Sequence, residues 1–134
     1  MSSPEWSSQY ETGIEVIDLQ HRKIFEALTR LEQSIRIGKS DMWLKQIVGE
    51  MERYAKEHFI SEEELFVKYA YPKADEHRAA HRRFASEVLT FYPRIEQDRL
   101  DALAISGYLK IWIYDHVMKM DMEYKAYFRS IGVI

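Results

Sequence analysis

Apolar residues recur every three or four positions through most of this chain, and that spacing is the strongest constraint on its fold. In the first such segment the repeating positions are Ile17, His21, Ile24, Leu28, Leu31 and Ile35. Because an α-helix turns once in about 3.6 residues, this spacing puts all of these side chains on one face. Three further segments repeat the pattern, and no alternating run indicates a strand. Four amphipathic helices with short connections predict an all-α protein, an antiparallel up-down-up-down four-helix bundle.

Turn and capping residues divide the chain into these segments, which we expect to form a single domain over 1–134. The predicted helices and the predicted C-terminal helical extension span about 18–37, 41–69, 73–92, 99–118 and 119–129. Asp18 and Ser40 are expected to cap the first two helices, and Gly38 is expected to end the first one. Pro93 should end or kink the third helix, since proline has no N–H to donate.

The two ends of the fourth helix and the N-terminal residues complete the predicted architecture. Asp98, followed three residues later by Asp101, resembles a capping box at the start of the fourth helix. Residues 1–17 contain the apolar side chains Trp6 and Ile14 and are expected to lie as an ordered arm across the bundle.

The composition excludes several classes of protein. The chain has no cysteine, so disulfides, iron–sulfur clusters, thiolate zinc sites and cysteine nucleophiles are excluded, and any metal must bind through nitrogen and oxygen. Its 19 basic residues are scattered among 22 acidic ones, for a net charge of −3, so we expect no nucleic-acid partner. No apolar run approaches the roughly 18 residues that span a bilayer, and no signal-peptide pattern opens the chain. We therefore expect a cytoplasmic protein that does not insert into membranes.

All five histidines fall on predicted inward faces. They are His21 on the first helix, His58 on the second, His77 and His81 on the third and His116 on the fourth. A single histidine on an apolar face is most often an ordinary core residue with a hydrogen-bond partner. Five in one small core are hard to satisfy in that way, because the helical backbone groups already bond one another. A shared metal site would meet the need, since neutral imidazole is a common ligand for iron, copper, nickel and zinc.

Glu62 is a candidate carboxylate ligand on the second helix. It follows His58 by four residues, about one helical turn, so both side chains leave the same face. In isolation the acidic stretch around it would suit a solvated surface. Glu63 and Glu64 do not share the face of His58, and we expect both to be exposed.

The spacing on the third and fourth helices is less decisive. His77 and His81 are four residues apart, which lets both imidazoles reach one ion, although their charged neighbours would also suit a surface pair. Asp121 follows His116 by five residues, which on a regular helix rotates its side chain by about 140°. From spacing alone we expect Asp121 on the surface, unless the helix loosens or the chain bends there.

Five imidazoles and two carboxylates exceed the four ligands of one zinc ion, and they suit two metal ions joined by the carboxylates. Negative bridging ligands limit the repulsion between two cations. The donor types favour a pair of iron ions, with manganese disfavoured by so much imidazole. If one oxygen atom also bridges both ions, two six-coordinate ions retain one open position, where function is expected.

Motifs along nearly the whole chain resemble those of the hemerythrin family, in its single-domain bacterial form. They are Trp6, TGI at 12–14, IDLQH at 17–21, HFISEE at 58–63, YP at 71–72, HRAAH at 77–81, WIYDH at 112–116 and DMEY at 121–124. A motif such as QH or HxxxH is weak alone, but the combined spacing is highly specific. The resemblance implies a non-haem di-iron centre, with iron cycling between Fe²⁺ and Fe³⁺ and with an oxo or hydroxo bridge.

The resemblance also implies a division of the ligands between two irons. One iron would be held by His77, His81 and His116, the other by His21 and His58, and both would be bridged by Glu62 and Asp121. This assignment reverses the surface position that spacing alone predicts for Asp121. Dioxygen would bind end-on at the five-coordinate iron, on the side with two histidines, while both irons become ferric.

Apolar side chains beside the open position are expected to shape an oxygen pocket, and the resemblance implies Trp112, Ile113 and Val117 for this role. The chain departs from the commonest family pattern at Phe66, where methionine is frequent, at Ile113, where leucine is usual, and at Val117, where isoleucine is common. All three residues remain apolar. The expected ligands are therefore unchanged, whereas the pocket shape and the oxygen affinity do not follow from the sequence.

We accordingly expect a protein that binds dioxygen reversibly, for storage, delivery or scavenging, and that is not an enzyme beyond weak oxidase or peroxidase side activity. The alternatives are a di-iron oxidase or peroxidase, a nitric-oxide-handling enzyme, and an oxygen sensor. Oxygen-activating ferritin-like bundles use mostly carboxylate ligands, and we expect no buried acid or base beyond the ligands to drive O–O cleavage. A sensor usually carries an output module, for which no residues remain. We expect a monomer, and the sequence identifies no redox partner.

Overall fold

Every regular element in the described part of the chain is helical. The computed structural model describes residues 4–97 and 101–134. The α-helices are α1 (Glu15–Arg36), α2 (Ser40–Lys68), α3 (Ala74–Leu89), α4 (Phe91–Glu96), α5 (Ala102–Trp112) and α6 (Asp121–Ser130). A 3₁₀ turn at Ser8–Tyr10 precedes them, and a π-helical segment at Ile113–Met120 joins α5 to α6. Within the described residues no helix is long and apolar enough to cross a membrane.

Four helical units form the bundle, and the predicted all-α class and four-helix architecture are confirmed. The units are α1, α2, α3 with α4, and α5 with the π segment and α6. α1 packs against both α2 and α5, and α2 also packs against α3. Short connections make consecutive units antiparallel.

The start of α1 differs from the prediction because Asp18 does not cap the helix but binds residues of the N-terminal arm. The helix begins at Glu15, three residues before the expected cap. The Asp18 carboxylate accepts hydrogen bonds from the backbone N–H groups of Thr12, at 2.7 Å, and Gly13, at 3.3 Å, and from the Thr12 hydroxyl at 2.9 Å. Asp18 therefore fastens the N-terminal arm to the first turn, and the arm ends at 14 rather than 17.

Glycine and proline set the ends of two helices, α1 and α3. Gly38 ends α1 as predicted, with the positive φ of 73° that glycine adopts without strain. α2 begins at Ser40 itself, and no side chain caps it. α3 ends at Leu89 rather than 92, because Pro93 has no N–H to donate to the Leu89 carbonyl. Leu89 is exposed.

The last unit is continuous through residue 130, so the predicted C-terminal extension is part of the same run of helix. α5 begins at Ala102, a few residues later than predicted. Asp101 caps it by accepting a hydrogen bond from the N–H of Ala104 at 2.9 Å. The other member of the predicted capping box, Asp98, lies outside the described residues.

The interior consists of two hydrophobic clusters with a polar layer between them. The larger cluster includes Ile24, Leu28, Leu31, Leu44, Ile47, Phe84, Ile105, Leu109, Ile113 and Val117. The smaller one comprises Ile17, Phe66, Tyr71, Ala74, Tyr124 and Phe128. On each helical unit the positions between the two clusters carry histidine or carboxylate residues. On α1, for example, His21 lies between Ile17 and Ile24. The polar layer is thus enclosed by apolar side chains on both sides.

Candidate metal centre

The seven predicted ligand residues all lie in the polar layer, and none is more than 3% exposed. Their donor atoms form two overlapping groups, in each of which all atoms lie within 4.8 Å of one another. We term His77, His81 and His116 the three-histidine cluster, and His21 and His58 the two-histidine cluster. Glu62 and Asp121 are termed the shared carboxylates. The structure therefore brings together every residue that the sequence singled out as a ligand.

Asp121 lies between the two clusters. Its Oδ2 atom is 2.9 Å from the Nε2 atom of His21 and 2.9 Å from that of His58. Its Oδ1 atom is 2.8 Å from Nε2 of His77 and 3.2 Å from Nε2 of His116. One oxygen atom faces each cluster, which is the arrangement that a carboxylate joining two ions requires.

Glu62 faces both clusters from α2. Its Oε1 atom is 2.9 Å from Nε2 of His58 and 3.1 Å from Nε2 of His81. Its Oε2 atom is buried and makes no hydrogen bond to any residue that the structure describes. A buried carboxylate oxygen without a partner is costly, because it has lost water and gained nothing in exchange. A cation in the layer would remove that cost.

The backbone between His116 and Asp121 explains how residues five apart share a face. The segment Ile113–Met120 is π-helical, and the N–H of Asp121 donates to the carbonyl of His116, five residues earlier. In a π-helix a five-residue step is close to one turn. The surface position expected from regular helical spacing is therefore wrong, and Asp121 is 0% exposed.

Opposing charges in the layer shift several pKa values. Burial disfavours protonation of His58, but the charges of Glu62 and Asp121 outweigh burial and raise the pKa of His58 to about 10. Burial likewise opposes protonation of His77, yet hydrogen bonds to the two carboxylates raise its pKa to about 9. Burial and the neighbouring His58 lower the pKa of His21. Burial resists ionisation of both carboxyl groups, but the facing imidazoles hold the pKa of each well below its ordinary value.

The donor atoms fit cations better than they fit protons. The Nε2 atoms of His21 and His58 are 3.1 Å apart, and those of His77 and His116 are 3.2 Å apart. Two ring nitrogens at that distance can share only one proton, so only one nitrogen of each pair can donate to the other. A metal ion accepts a lone pair from every such nitrogen at once. Imidazole with carboxylate suits first-row metals such as iron.

Two ligand histidines have outer partners that the sequence analysis missed. The Nδ1 atom of His81 is 2.9 Å from Oε2 of Glu63, and the Nδ1 atom of His58 is 3.3 Å from Oε1 of Gln20. Glu63 was expected in solvent, but its side chain is only 35% exposed, whereas Glu64 is exposed as expected. Glu63 follows Glu62 directly and turns towards α3, and a single sequence carries no signal for the neighbouring helix.

The three predicted pocket residues have different surroundings. Trp112 stacks on His116, with ring centroids 5.1 Å apart and planes 7° apart, so it contacts the three-histidine cluster. Ile113 and Val117 are fully buried in the larger hydrophobic cluster. The assignment of Trp112, Ile113 and Val117 to an oxygen pocket stays a prediction.

Tyr124 is a buried ionisable side chain outside the seven ligands, which the sequence analysis did not single out. Its side chain is fully buried, and its hydroxyl lies beside the Glu62 carboxylate. Burial and the negative charges of Glu62 and Asp121 raise the pKa of Tyr124 well above its ordinary value. The hydroxyl therefore keeps its proton throughout the physiological pH range.

Known proteins share both the fold and the sequence pattern. The family model described as the hemerythrin HHE cation binding domain matches residues 12–128. A bacteriohemerythrin of Clostridium acetobutylicum is 30% identical over 125 residues, which cover 89% of this chain and 96% of that protein. A bacteriohemerythrin of Pseudomonas aeruginosa is 28% identical over 119 residues, covering 89% of this chain and 77% of that one. A crystal structure of a hemerythrin mutant, 20% identical, matches the fold with a TM-score of 0.80 over 94% of this chain and 97% of the other.

The chain therefore belongs to the hemerythrin HHE cation binding domain family. Its buried histidine, glutamate and aspartate side chains form a site suited to metal ions within a helical bundle.

Proposed function

We propose that this protein binds dioxygen reversibly at two iron ions held in the polar layer. The observation that carries the proposal is the convergence of five imidazole nitrogens on two buried, shared carboxylates. The three-histidine cluster would hold one iron and the two-histidine cluster the other. Glu62 and Asp121 would bridge both irons together with an oxo or hydroxo oxygen. Family membership supports cation binding, and the donor types support iron.

Two irons bound in this way would supply two electrons to dioxygen and recover them on its release. The side chains of the chain itself set the conditions for that exchange. The two-histidine cluster offers one imidazole fewer than its counterpart, so we assign the open position to its side. The hydrophobic clusters on both sides of the layer keep bulk water away. We assign the walls of the oxygen pocket to Ile113 and Val117, whose full burial supports that role.

Two properties of the site favour a carrier over an oxygen-cleaving enzyme. Five of the seven donor residues are imidazoles, which bind a metal in their neutral form, whereas oxygen-activating bundles of the ferritin type use mostly carboxylates. The hydroxyl of Tyr124, beside Glu62, holds its proton firmly, because burial and nearby negative charge raise its pKa. Tyr124 can therefore donate a hydrogen bond but is a poor proton donor for O–O cleavage. Storage, delivery and scavenging are all compatible with this chemistry, and a cytoplasmic monomer stays our prediction.

The test is anaerobic reduction of the iron-loaded protein, followed by oxygen, with optical and resonance Raman spectra. We expect two irons per chain and an O–O stretching band that vanishes on degassing and returns with oxygen. Irreversible oxidation without such a band would refute the carrier function and favour an oxidase or peroxidase. A protein that binds no iron would refute the proposal altogether.

A further inference from the structure

One histidine in each cluster, His81 or His58, has an outer nitrogen that faces a polar side chain, and the two side chains differ in charge. His81 on α3 faces Oε2 of Glu63 through its Nδ1 atom at 2.9 Å, while its Nε2 atom faces Glu62 at 3.1 Å. His58 on α2 faces the amide oxygen of Gln20 through its Nδ1 atom at 3.3 Å. The partner in the three-histidine cluster is thus a carboxylate, and the partner in the two-histidine cluster is an uncharged amide.

Neighbouring side chains hold Glu63 and His81 in this geometry. The Nε atom of Arg78, on α3, is 3.7 Å from Oε1 of Glu63, and the Arg78 side chain is only 27% exposed. Phe59 stacks on the His81 ring with centroids 3.9 Å apart and planes 14° apart, which restricts rotation of the imidazole. Glu63 is therefore fixed between α2 and α3, partly shielded from solvent.

The amide of Gln20 is oriented by an equally specific chain of hydrogen bonds. The Ser61 hydroxyl donates to the Glu57 carbonyl at 3.1 Å, so its oxygen is free to accept from the Gln20 amide nitrogen at 2.9 Å. That leaves the Gln20 oxygen for the N–H of His58. Both outer partners thus accept from an Nδ1–H group, and charge is the main difference between them.

We propose that Glu63 is a positioning residue for the metal centre, which acts through His81. Its carboxylate accepts the Nδ1–H of His81, selects the tautomer whose Nε2 lone pair faces the centre, and makes that nitrogen a stronger donor. The inference rests on the proposed metal-binding function of the same site. A neutral imidazole carries one proton on one nitrogen, so an acceptor at Nδ1 determines which nitrogen can bind a metal. We expect the ion in the three-histidine cluster to be the more tightly bound of the two.

Three variants separate the hydrogen bond from the charge. Glu63→Gln keeps an oxygen that accepts the Nδ1–H but removes the negative charge, whereas Glu63→Ala removes both. Glu64→Gln makes the same charge change one residue away, on the exposed face, and is the matched control. Competition of anaerobic ferrous ion against a chelator measures the affinity of each site. We expect Glu63→Ala to weaken one of the two ions about 10- to 100-fold, Glu63→Gln to weaken it less, and Glu64→Gln to change neither.

Nuclear magnetic resonance of the zinc-loaded protein measures the chemical shift of the His81 ring proton. That shift should not change if Glu63 only stabilises the fold. In the wild type we expect the His81 proton on Nδ1, with its resonance shifted downfield by the carboxylate. The resonance should move upfield in Glu63→Gln and stay in place in Glu64→Gln. Glu63→Gln has nearly the shape of the wild type, so this comparison remains available if Glu63→Ala does not fold.

Two results would overturn the role of Glu63. One is a His81 proton on Nε2 in the zinc-loaded wild type, and the other is unchanged affinity for both ions in a folded Glu63→Ala or Glu63→Gln variant. Failure of the proposed function gives a different result, because the wild type itself would then bind no pair of ions. The ferrous titration of the wild type, done first, distinguishes the two failures.

Discussion

The two-histidine and three-histidine clusters use the same donor atoms but are built differently. The two-histidine cluster comes from α1 and α2, which are regular α-helices at His21 and His58. The three-histidine cluster comes from α3 and from the π-helical segment that carries His116. Both clusters face the same two carboxylates, so the layer is balanced in negative charge and unbalanced in imidazoles. Two ions bound here would therefore be unequal, because each would meet a different number of protein ligands and a different outer partner.

The largest expected effect comes from removing the feature that the clusters share. Asp121 presents one oxygen atom to each cluster. We therefore expect Asp121→Ala to lower the iron content from two per chain to below one, measured by elemental analysis of the purified protein. Asp115→Ala is the control, because Asp115 lies on the same π segment with a side chain that is 67% exposed. Two irons retained in Asp121→Ala would show that the clusters do not depend on this carboxylate.

The next variant, His58→Ala, should affect one cluster and leave the other intact. His58→Ala removes one of two imidazoles on one side and leaves the three-histidine cluster complete. We expect about one iron per chain and loss of the reversible O–O stretching band. His81→Ala is the comparison on the other side, where two imidazoles remain. Normal oxygen uptake with two irons in His58→Ala would contradict the assignment of the open position to the two-histidine cluster.

A smaller effect is expected from the apolar side chains next to His116. Ile113 is fully buried, so Ile113→Ala should lower the free energy of unfolding by about 2–5 kcal/mol, measured by urea denaturation. If Ile113 also lines the oxygen pocket, the oxygenated protein should oxidise irreversibly several-fold faster, because water reaches the layer. Ile111→Ala, at a position 53% exposed on α5, should change neither quantity. A wild-type oxidation rate in Ile113→Ala would remove Ile113 from the pocket.

The variant with the smallest expected effect, Gln20→Glu, makes the outer partners of the two clusters more alike. Gln20→Glu gives His58 the kind of partner that His81 has. It also removes the hydrogen bond that the Gln20 amide donates to Ser61, so the Ser61 hydroxyl would have to turn from the Glu57 carbonyl to donate to the new carboxylate. We expect the ion in the two-histidine cluster to bind more tightly by less than about tenfold in the ferrous titration. Gln33→Glu adds the same charge at an exposed position of α1 and serves as control. Weaker binding in Gln20→Glu would show that charge at this position does not strengthen the ligand.

Much of the fold and most of the centre could be predicted from the sequence, because the relevant signals are local. Helical spacing alone indicates which face of each helix is buried, and it puts all five histidines inside, where the structure has them. Glu62 follows from the same rule, since it lies one turn from His58 on a regular helix. Gly38 marks the end of α1 because only glycine adopts its backbone conformation without strain.

The remaining features depend on tertiary structure. Each one either departs from regular helical spacing or depends on a contact between helices. Asp121 is buried because the backbone changes from α-helix to π-helix over 113–120, and the spacing of apolar residues does not predict that change. Trp112 contacts the three-histidine cluster, and Tyr124 is buried beside the shared carboxylates, because of how the last helical unit packs on the others. The sequence predicts that Glu63 is solvent-exposed. Its carboxylate becomes the hydrogen-bond partner of His81 only when α3 packs against α2. The amino-acid pattern alone sets which side chains point inward, since that depends on the helical period. The packing of the helices decided which of them meet, since contacts between helices depend on distances that no local pattern encodes.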